Sequence, residues 1–392
     1  MRPFESEADL AARGVIGAHD LPPEGSAPFV PKRITLQWHI TGRCNLSCRH
    51  CYDTREHQDE LPLADLRTIL DAFTARVAAW NVPAHINITG GEPLCREDLF
   101  DLLASIGPST ERFGFGILTN GTRIGPDEAR RLKRLGCRFV QVSLEGGEAA
   151  NDAIRGANSY RDIRRAVRAL RRQRIYTMVS FTVGRGNVHA FPEAAYAARD
   201  AGADMIWADR AIPLGNAAGQ SGESITSDEY AAFLEDMFAI RRRFSRALFS
   251  RTRVFMHRAV QFQPLLRHGE KNVAPYRCSA GRNLLALMPD GALLPCRRMP
   301  IVVGTLPAEG LDEIYYRSAL FAKLRRSAVT ALGCAGCQHE TSCNGGLRCL
   351  SYALTGDPFR RDPHCSLPHP QRQCVDDVPA PTTLSHPMPS IP

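Results

Sequence analysis

Lysine is nearly missing from this chain: of its 49 basic residues only Lys32, Lys133, Lys271 and Lys323 are not arginine. Such a bias follows genome composition as much as any nucleic-acid face, so a net charge of +8 does not assign nucleic acid as a partner. The densest basic stretch, residues 161–174, carries Ile163, Val167 and Leu170 at helical spacing and reads as a solvated helix face. An acidic peptide suits it better than a nucleic acid does. Long apolar runs are also missing; none reaches the roughly 18 residues of a membrane span. The opening MRPFESEADLAARG lacks the basic-then-apolar order of a signal peptide, so a cytoplasmic location is expected. In a reducing compartment thirteen cysteines, an odd number, are better explained as metal ligands than as disulfides. A length of 392 residues with 44% apolar content suits two or three globular domains.

Residues 34–52, ITLQWHITGRCNLSCRHCY, organise the rest of the chain. A strand-like run over 34–40 is broken by Thr41-Gly42-Arg43, and Cys44, Cys48 and Cys51 follow as C-x3-C-x2-C. Three thiolates leave a tetrahedral zinc site one ligand short. They suit a [4Fe–4S] cube in which the fourth iron stays open to a small molecule. The plain alternative is three buried free cysteines.

From Lys32 onward short apolar strands alternate with amphipathic helices. Strands are expected over 34–40, 85–89, 113–118, 139–144, 177–183 and 205–208. Helices are expected over 62–80, 96–106, 126–135, within 161–174, and over 191–201. This alternation implies a parallel sheet, with site residues gathered at the strand carboxyl ends. Gly90-Gly91-Glu92-Pro93, Thr119-Asn120-Gly121 and Glu145-Gly146 each fall at such an end. Paired glycines admit close backbone approach, and a carboxylate can hold an ammonium group.

At Cys44, Cys48, His50 and Cys51 the chain resembles the radical S-adenosylmethionine (SAM) superfamily, whose signature is C-x3-C-x-aromatic-C, with His50 in the aromatic slot. The resemblance implies a partial (β/α)6 TIM-like barrel over about residues 32–215. It also implies that SAM chelates the open iron and is split to a 5′-deoxyadenosyl radical that abstracts hydrogen from substrate. Gly90, Gly91 and Glu92 match the element that holds the SAM amino group. Ser143-Leu144-Glu145-Gly146 is similar to the S-x-D-G strand end of peptide-modifying members, with Glu145 where Asp is commoner, which implies that Ser143 faces the SAM ribose or carboxylate and that Glu145 too contacts the cofactor. Asn151 to Gly156 resembles a segment whose arginine pairs with the SAM carboxylate, which makes Arg155 the candidate. Asn120 is a candidate for adenosine contact or for capping its turn, and residues 210–215 for the adenine pocket. Cys95 and Cys137, each alone, read as small buried hydrophobes.

Eight cysteines crowd the region from 275 to 374. One C-x2-C pair, Cys334 and Cys337, is too few for a zinc ribbon. With Cys278, Cys296, Cys343, Cys349, Cys365 and Cys374 the set resembles the SPASM extension, which carries two auxiliary [4Fe–4S] clusters. By that resemblance Cys278, Cys296 and Cys349 serve the first cluster; Cys374, nine residues after Cys365, is either its fourth ligand or an unpaired cysteine. Cys334, Cys337, Cys343 and Cys365 serve the second. Family spacing would put a cysteine at Leu347, two residues before Cys349. Two structural zincs are the alternative.

The expected organisation is a flexible N-terminal arm (1–31), the partial barrel (32–215), a helical linker (216–274), a SPASM domain (275–374) and a disordered tail (375–392). The implied function is oxidative modification of a peptide, ribosomally made, with an electron donor such as flavodoxin or ferredoxin as a partner. Two rivals stand beside it: a radical SAM enzyme acting on a tetrapyrrole or aminoglycoside, and a non-catalytic iron–sulfur electron carrier.

Overall fold

A computed structural model describes residues 4–53, 59–219, 225–247, 251–326 and 329–367. Its strands, in chain order, are β1 (Glu5–Ser6), β2 (Ile34–His39), β3 (Ala84–Thr89), β4 (Phe113–Thr119), β5 (Phe139–Ser143) and β6 (Tyr176–Val183). Then come β7 (Met205–Arg210), β8 (Arg253–Phe255), β9 (Leu284–Leu287), β10 (Ala292–Leu294), β11 (Ile301–Val302) and β12 (Gly304–Thr305). Strands β2 to β7 lie side by side in that order, all parallel, as the centre of a ten-stranded sheet. Helices between them cover the sheet, giving the partial α/β barrel expected from the alternation.

The apolar pattern explains the packing. In the helix Leu63–Trp80 the buried residues are Leu66, Ile69, Leu70, Phe73, Val77 and Trp80, three or four apart on one face. Asn81, in the left-handed conformation, stops it. The basic helix Ser159–Arg172 buries Ile163, Val167 and Leu170 and turns its arginines outward. Strand residues Ile86, Ile88, Phe115 and Ile117 are wholly buried, as a parallel sheet between layers requires.

Three expectations change. First, residues 4–31 are not a loose arm. Strand β1 pairs with β11, Leu10 and Ile16 are buried in the main core, and Glu5 accepts from the Tyr352 hydroxyl at 2.9 Å. Each buried aliphatic side chain contributes about 1.5–3 kcal/mol, which offsets the entropy of ordering the segment. Second, the stretch read as a helical linker contains β8, which extends the sheet beside β7, and its helix Ser227–Arg246 is capped by Thr226. The Thr226 hydroxyl accepts from the Glu229 amide, and the Glu229 carboxylate accepts from the Thr226 amide at 2.7 Å. Third, the cysteine-rich region is not a separate body. Strand β9 lies parallel against β2, with Leu36 opposite Leu285, so the hairpin β9–β10 continues the barrel sheet.

Candidate active site

The loop after β2 is closed by backbone contact with the loop after β3. The Gly91 amide donates to Thr41 O at 2.8 Å and the Glu92 amide to Arg43 O at 2.8 Å. A Cβ on Gly91 would stand 2.5 Å from Arg43 O, so only glycine permits this approach. Two residues with no mark in the sequence complete the clamp. The Glu60 carboxylate accepts from the Thr41 hydroxyl and the Gly42 amide. Buried Arg96 donates to Ile40 O at 2.7 Å and Leu61 O at 2.9 Å.

Cys44, Cys48 and Cys51 from this loop line a cavity of about 350 Å³ at the strand carboxyl ends. Gly90, Gly91, Asn120, Ser143, Arg155 and His50 line it too. Donors surround the sulfurs: the Leu46 amide lies 3.4 Å from Cys44 Sγ, Asn120 Nδ2 3.9 Å from the same atom, and Arg155 Nη1 3.9 Å from Cys48 Sγ. Burial pushes the Cys51 thiol up to about 11, so a thiolate there needs a metal in place of its proton. Among the described residues no three His, Cys, Asp or Glu side chains converge as ligands of a single ion. Three soft donors around one cavity, not focused on one point, fit a cluster whose irons are each held by a different sulfur.

Two carboxylates expected to touch the cofactor do not face the cavity. Glu92 is fully buried and turned inward. It accepts from the Thr119 hydroxyl at 2.8 Å, the Asn120 amide at 2.7 Å and the Leu94 amide at 3.2 Å. Burial pushes its carboxyl up, and these donors offset part of that rise. Three donors at fixed positions pull the side chain away from any ammonium group, so Glu92 ties the β3 and β4 loops together. Glu145 is likewise wholly buried. Arg155 donates to its Oε1 from Nη2 at 2.7 Å and from Nε at 3.1 Å, the Thr182 amide donates to Oε2 at 2.7 Å, and His50 Nε2 lies 3.2 Å away. Burial raises this carboxyl, but Arg155 and His50 outweigh it and hold it well below the usual carboxylate range. Glu145 therefore positions Arg155 and His50, and those two reach the cavity.

The remaining candidates divide. Asn120 caps its turn, accepting from the Thr122 amide at 2.9 Å, while its Nδ2 points to Asn45 and Cys44. Ser143 meets the Ser180 hydroxyl at 3.2 Å on the cavity wall. Residues 210–217 pack on the cysteine loop, with the Ala217 amide donating to Cys51 O at 3.2 Å. Cys137 is buried, its thiol donating to Phe139 O, whereas Cys95 is only partly buried.

The C-terminal cysteines fall into two groups. Cys278, Cys296 and Cys349 line the same cavity as the first three, and Cys349 stands in the first turn of the helix Arg348–Thr355. Burial pushes Cys278 and Cys349 up, and each is raised further by a neighbouring thiol of the trio. Leu347 is buried beside them with no ligating atom. Cys334, Cys337, Cys343 and Cys365 line a second, smaller cavity. Cys374 lies outside the described residues.

Residues 38–193 match the family model described as the radical SAM superfamily. The mycofactocin maturase MftC of Mycobacterium ulcerans is 30% identical, over 85% of this chain and 87% of its own length. The chain belongs to the radical SAM superfamily. The cofactors of a radical SAM enzyme are a [4Fe–4S] cluster and SAM, and Cys44, Cys48 and Cys51 would hold that cluster. The pre-heme d1 synthase of Dinoroseobacter shibae is 28% identical over 92% of both chains. In fold the chain is similar to Streptococcus suis SuiB, crystallised with its precursor peptide SuiA: TM-score 0.66, 17% identity, covering 92% of this chain and 79% of SuiB. No helix among the described residues is long and apolar enough to cross a membrane.

Proposed function

We propose that this radical SAM enzyme oxidises a peptide, drawing one residue of it into the cavity at the strand carboxyl ends. The observation that carries the reading is the shared cavity: Cys44, Cys48 and Cys51 face the same space as Cys278, Cys296 and Cys349. The bound cluster and SAM supply a 5′-deoxyadenosyl radical able to take a hydrogen atom from a substrate beside it. A substrate so changed must still give up an electron and a proton to become a stable product. Cys278, Cys296 and Cys349 would hold an auxiliary cluster within the cavity, which would supply an electron acceptor. Cys334, Cys337, Cys343 and Cys365 would hold a second one, toward a partner such as flavodoxin or ferredoxin.

The chain's own residues bind and orient. Arg155 has Nε and Nη2 committed to Glu145, so Nη1, which lies 3.9 Å from Cys48 Sγ, is the nitrogen that would meet the SAM carboxylate. Gly90 and Gly91 hold the cysteine loop against the wall where the SAM amino group would lie. Asn120 and Ser143 offer polar atoms toward the adenosine. The similarity to MftC supports a peptide as substrate. The match to pre-heme d1 synthase over 92% of both chains supports a second reading, a tetrapyrrole.

Reduced holoenzyme incubated with SAM and a short peptide encoded beside its gene should yield 5′-deoxyadenosine and a peptide lighter by two hydrogens, read by mass spectrometry. A peptide returned unchanged, with a tetrapyrrole consumed under the same conditions, would overturn the peptide reading in favour of the second.

A further inference from the structure

Five arginines line the main cavity, Arg155, Arg210, Arg258, Arg297 and Arg298, against two carboxylates, Asp53 and Asp209. Three of the five are matched by carboxylates: Arg155 by Glu145 at 2.7 Å, Arg210 by Asp362 at 2.6 Å, and Arg298 by Asp209 at 2.7 Å. Arg258 and Arg297 form no ion pair among the described residues, although Asp209 also feels the charge of Arg258. Aromatic faces hold them instead. Arg258 lies 4.4 Å from the Trp207 ring centroid and 5.6 Å from that of Tyr276. Arg297 lies 5.4 Å from the Tyr52 ring centroid, and among the described residues its side chain makes one hydrogen bond, a long one to the Thr89 hydroxyl at 3.4 Å.

A cation–π contact holds a guanidinium through its charge without using its N–H donors. A cation held in this way in a partly enclosed cavity is poised for a planar, two-oxygen anion. The location narrows the choice further. Arg297 follows Cys296 in sequence and leans on Tyr52, which follows Cys51. Along the wall of the shared cavity it therefore joins the segments that carry the two cysteine trios. Arg258 reaches the same cavity from the far side of β7, against Tyr276 beside Cys278.

We infer that Arg258 and Arg297 recognise a carboxylate of the substrate, so that the substrate is an acid. The inference rests on the reading of this cavity as the substrate site. Two sources share that chemistry: an acidic or C-terminal residue of a peptide, and the propionate of a tetrapyrrole.

The test is binding to the SAM-loaded holoenzyme under anaerobic conditions, with two pairs of probes. One pair is acetyl-Gly-Gly-Ala-Glu with a free C-terminus and its acetyl-Gly-Gly-Ala-Gln amide, titrated by calorimetry. The other is coproporphyrin and its methyl ester. The acid of at least one pair should bind about ten-fold or more tighter than its neutral partner, as charge-assisted bonds dictate. The Arg258→Gln/Arg297→Gln enzyme should lose that preference while keeping its iron content, its SAM affinity and its affinity for the neutral probe. A preference confined to the porphyrin pair supports the arginine assignment and contradicts the peptide reading. Equal binding of acid and neutral probes in wild type, or no binding of any probe, overturns the inference. So does a preference that survives both substitutions, or a variant whose loss is of SAM rather than of the acid.

Discussion

Arg210, the last residue of β7, and Asp362, in the cysteine-rich region, form a two-pronged ion pair at 2.6 and 2.7 Å with both side chains buried. The same carboxylate accepts from the Leu347 amide at 2.9 Å and the His364 amide at 3.0 Å. One buried pair therefore ties the barrel to the two segments that carry Cys349 and Cys365. Burial alone would push the Asp362 carboxyl up, but Arg210 outweighs it and holds it down.

Removing one member of such a pair strands the other charge. Asp362→Asn should cost about 3–5 kcal/mol in urea denaturation, and Arg210→Met/Asp362→Leu should recover part of that loss. A single variant within about 1 kcal/mol of wild type would contradict the role given to the pair.

Glu145 acts through Arg155 and His50, so its loss should be felt where it makes no contact. Glu145→Gln should weaken SAM binding by roughly ten-fold, since a charge-assisted bond is worth about 1.5–3 kcal/mol, with iron content unchanged. Calorimetric titration of anaerobic holoenzyme reads this, and unaltered affinity would detach Glu145 from the cofactor site.

The two C-terminal cysteine groups should load independently. Cys349→Ala should cost about four irons, Cys343→Ala another four, and the double variant about eight, by iron assay and Mössbauer spectra. Full iron in the Cys349→Ala protein would remove Cys349 from the ligand set.

Much of this was legible from residue 34 onward. The three cysteines, the glycine pair and the strand–helix rhythm each carry their own signal, because parallel strands and helices differ in period and site residues punctuate strand ends. The carboxylates were not legible. Glu92 and Glu145 stand in motif positions, but a sequence does not say whether a side chain turns into the cavity or behind it. That depends on amides and cations from other loops, such as Asn120 N and Arg155. The N-terminal segment was misread for a related reason. Leu10 and Ile16 are too sparse to show a period, and the groups that hold the segment lie some three hundred residues away, in Leu320 and Tyr352. Strand β8, three residues long, is below what alternation can reveal. Glu60 and Arg96 carry no motif, and only the folded loop shows what they hold.

Stability should fall with acid in a defined window. Burial first, then Arg138 nearby, lowers the His85 imidazole from its ordinary 6.5 to about 4. Between those values the unfolded chain takes a proton that the folded protein refuses, so stability is lost as pH falls from 6.5 toward 4. His85 is stacked on Phe139 at 5.1 Å, so phenylalanine can replace it without emptying the site. His85→Phe should lose about 1 kcal/mol less than wild type between pH 7.5 and pH 5.5 in urea denaturation. Equal losses would show that His85 titrates normally.

The most direct test of the central claim is SAM cleavage by the first cysteine trio. Reduced, reconstituted protein should convert SAM to 5′-deoxyadenosine, measured by chromatography. The Cys44→Ala/Cys48→Ala/Cys51→Ala protein should retain the iron held by its C-terminal cysteines and form none. Deoxyadenosine produced by that variant at the wild-type rate would contradict the account.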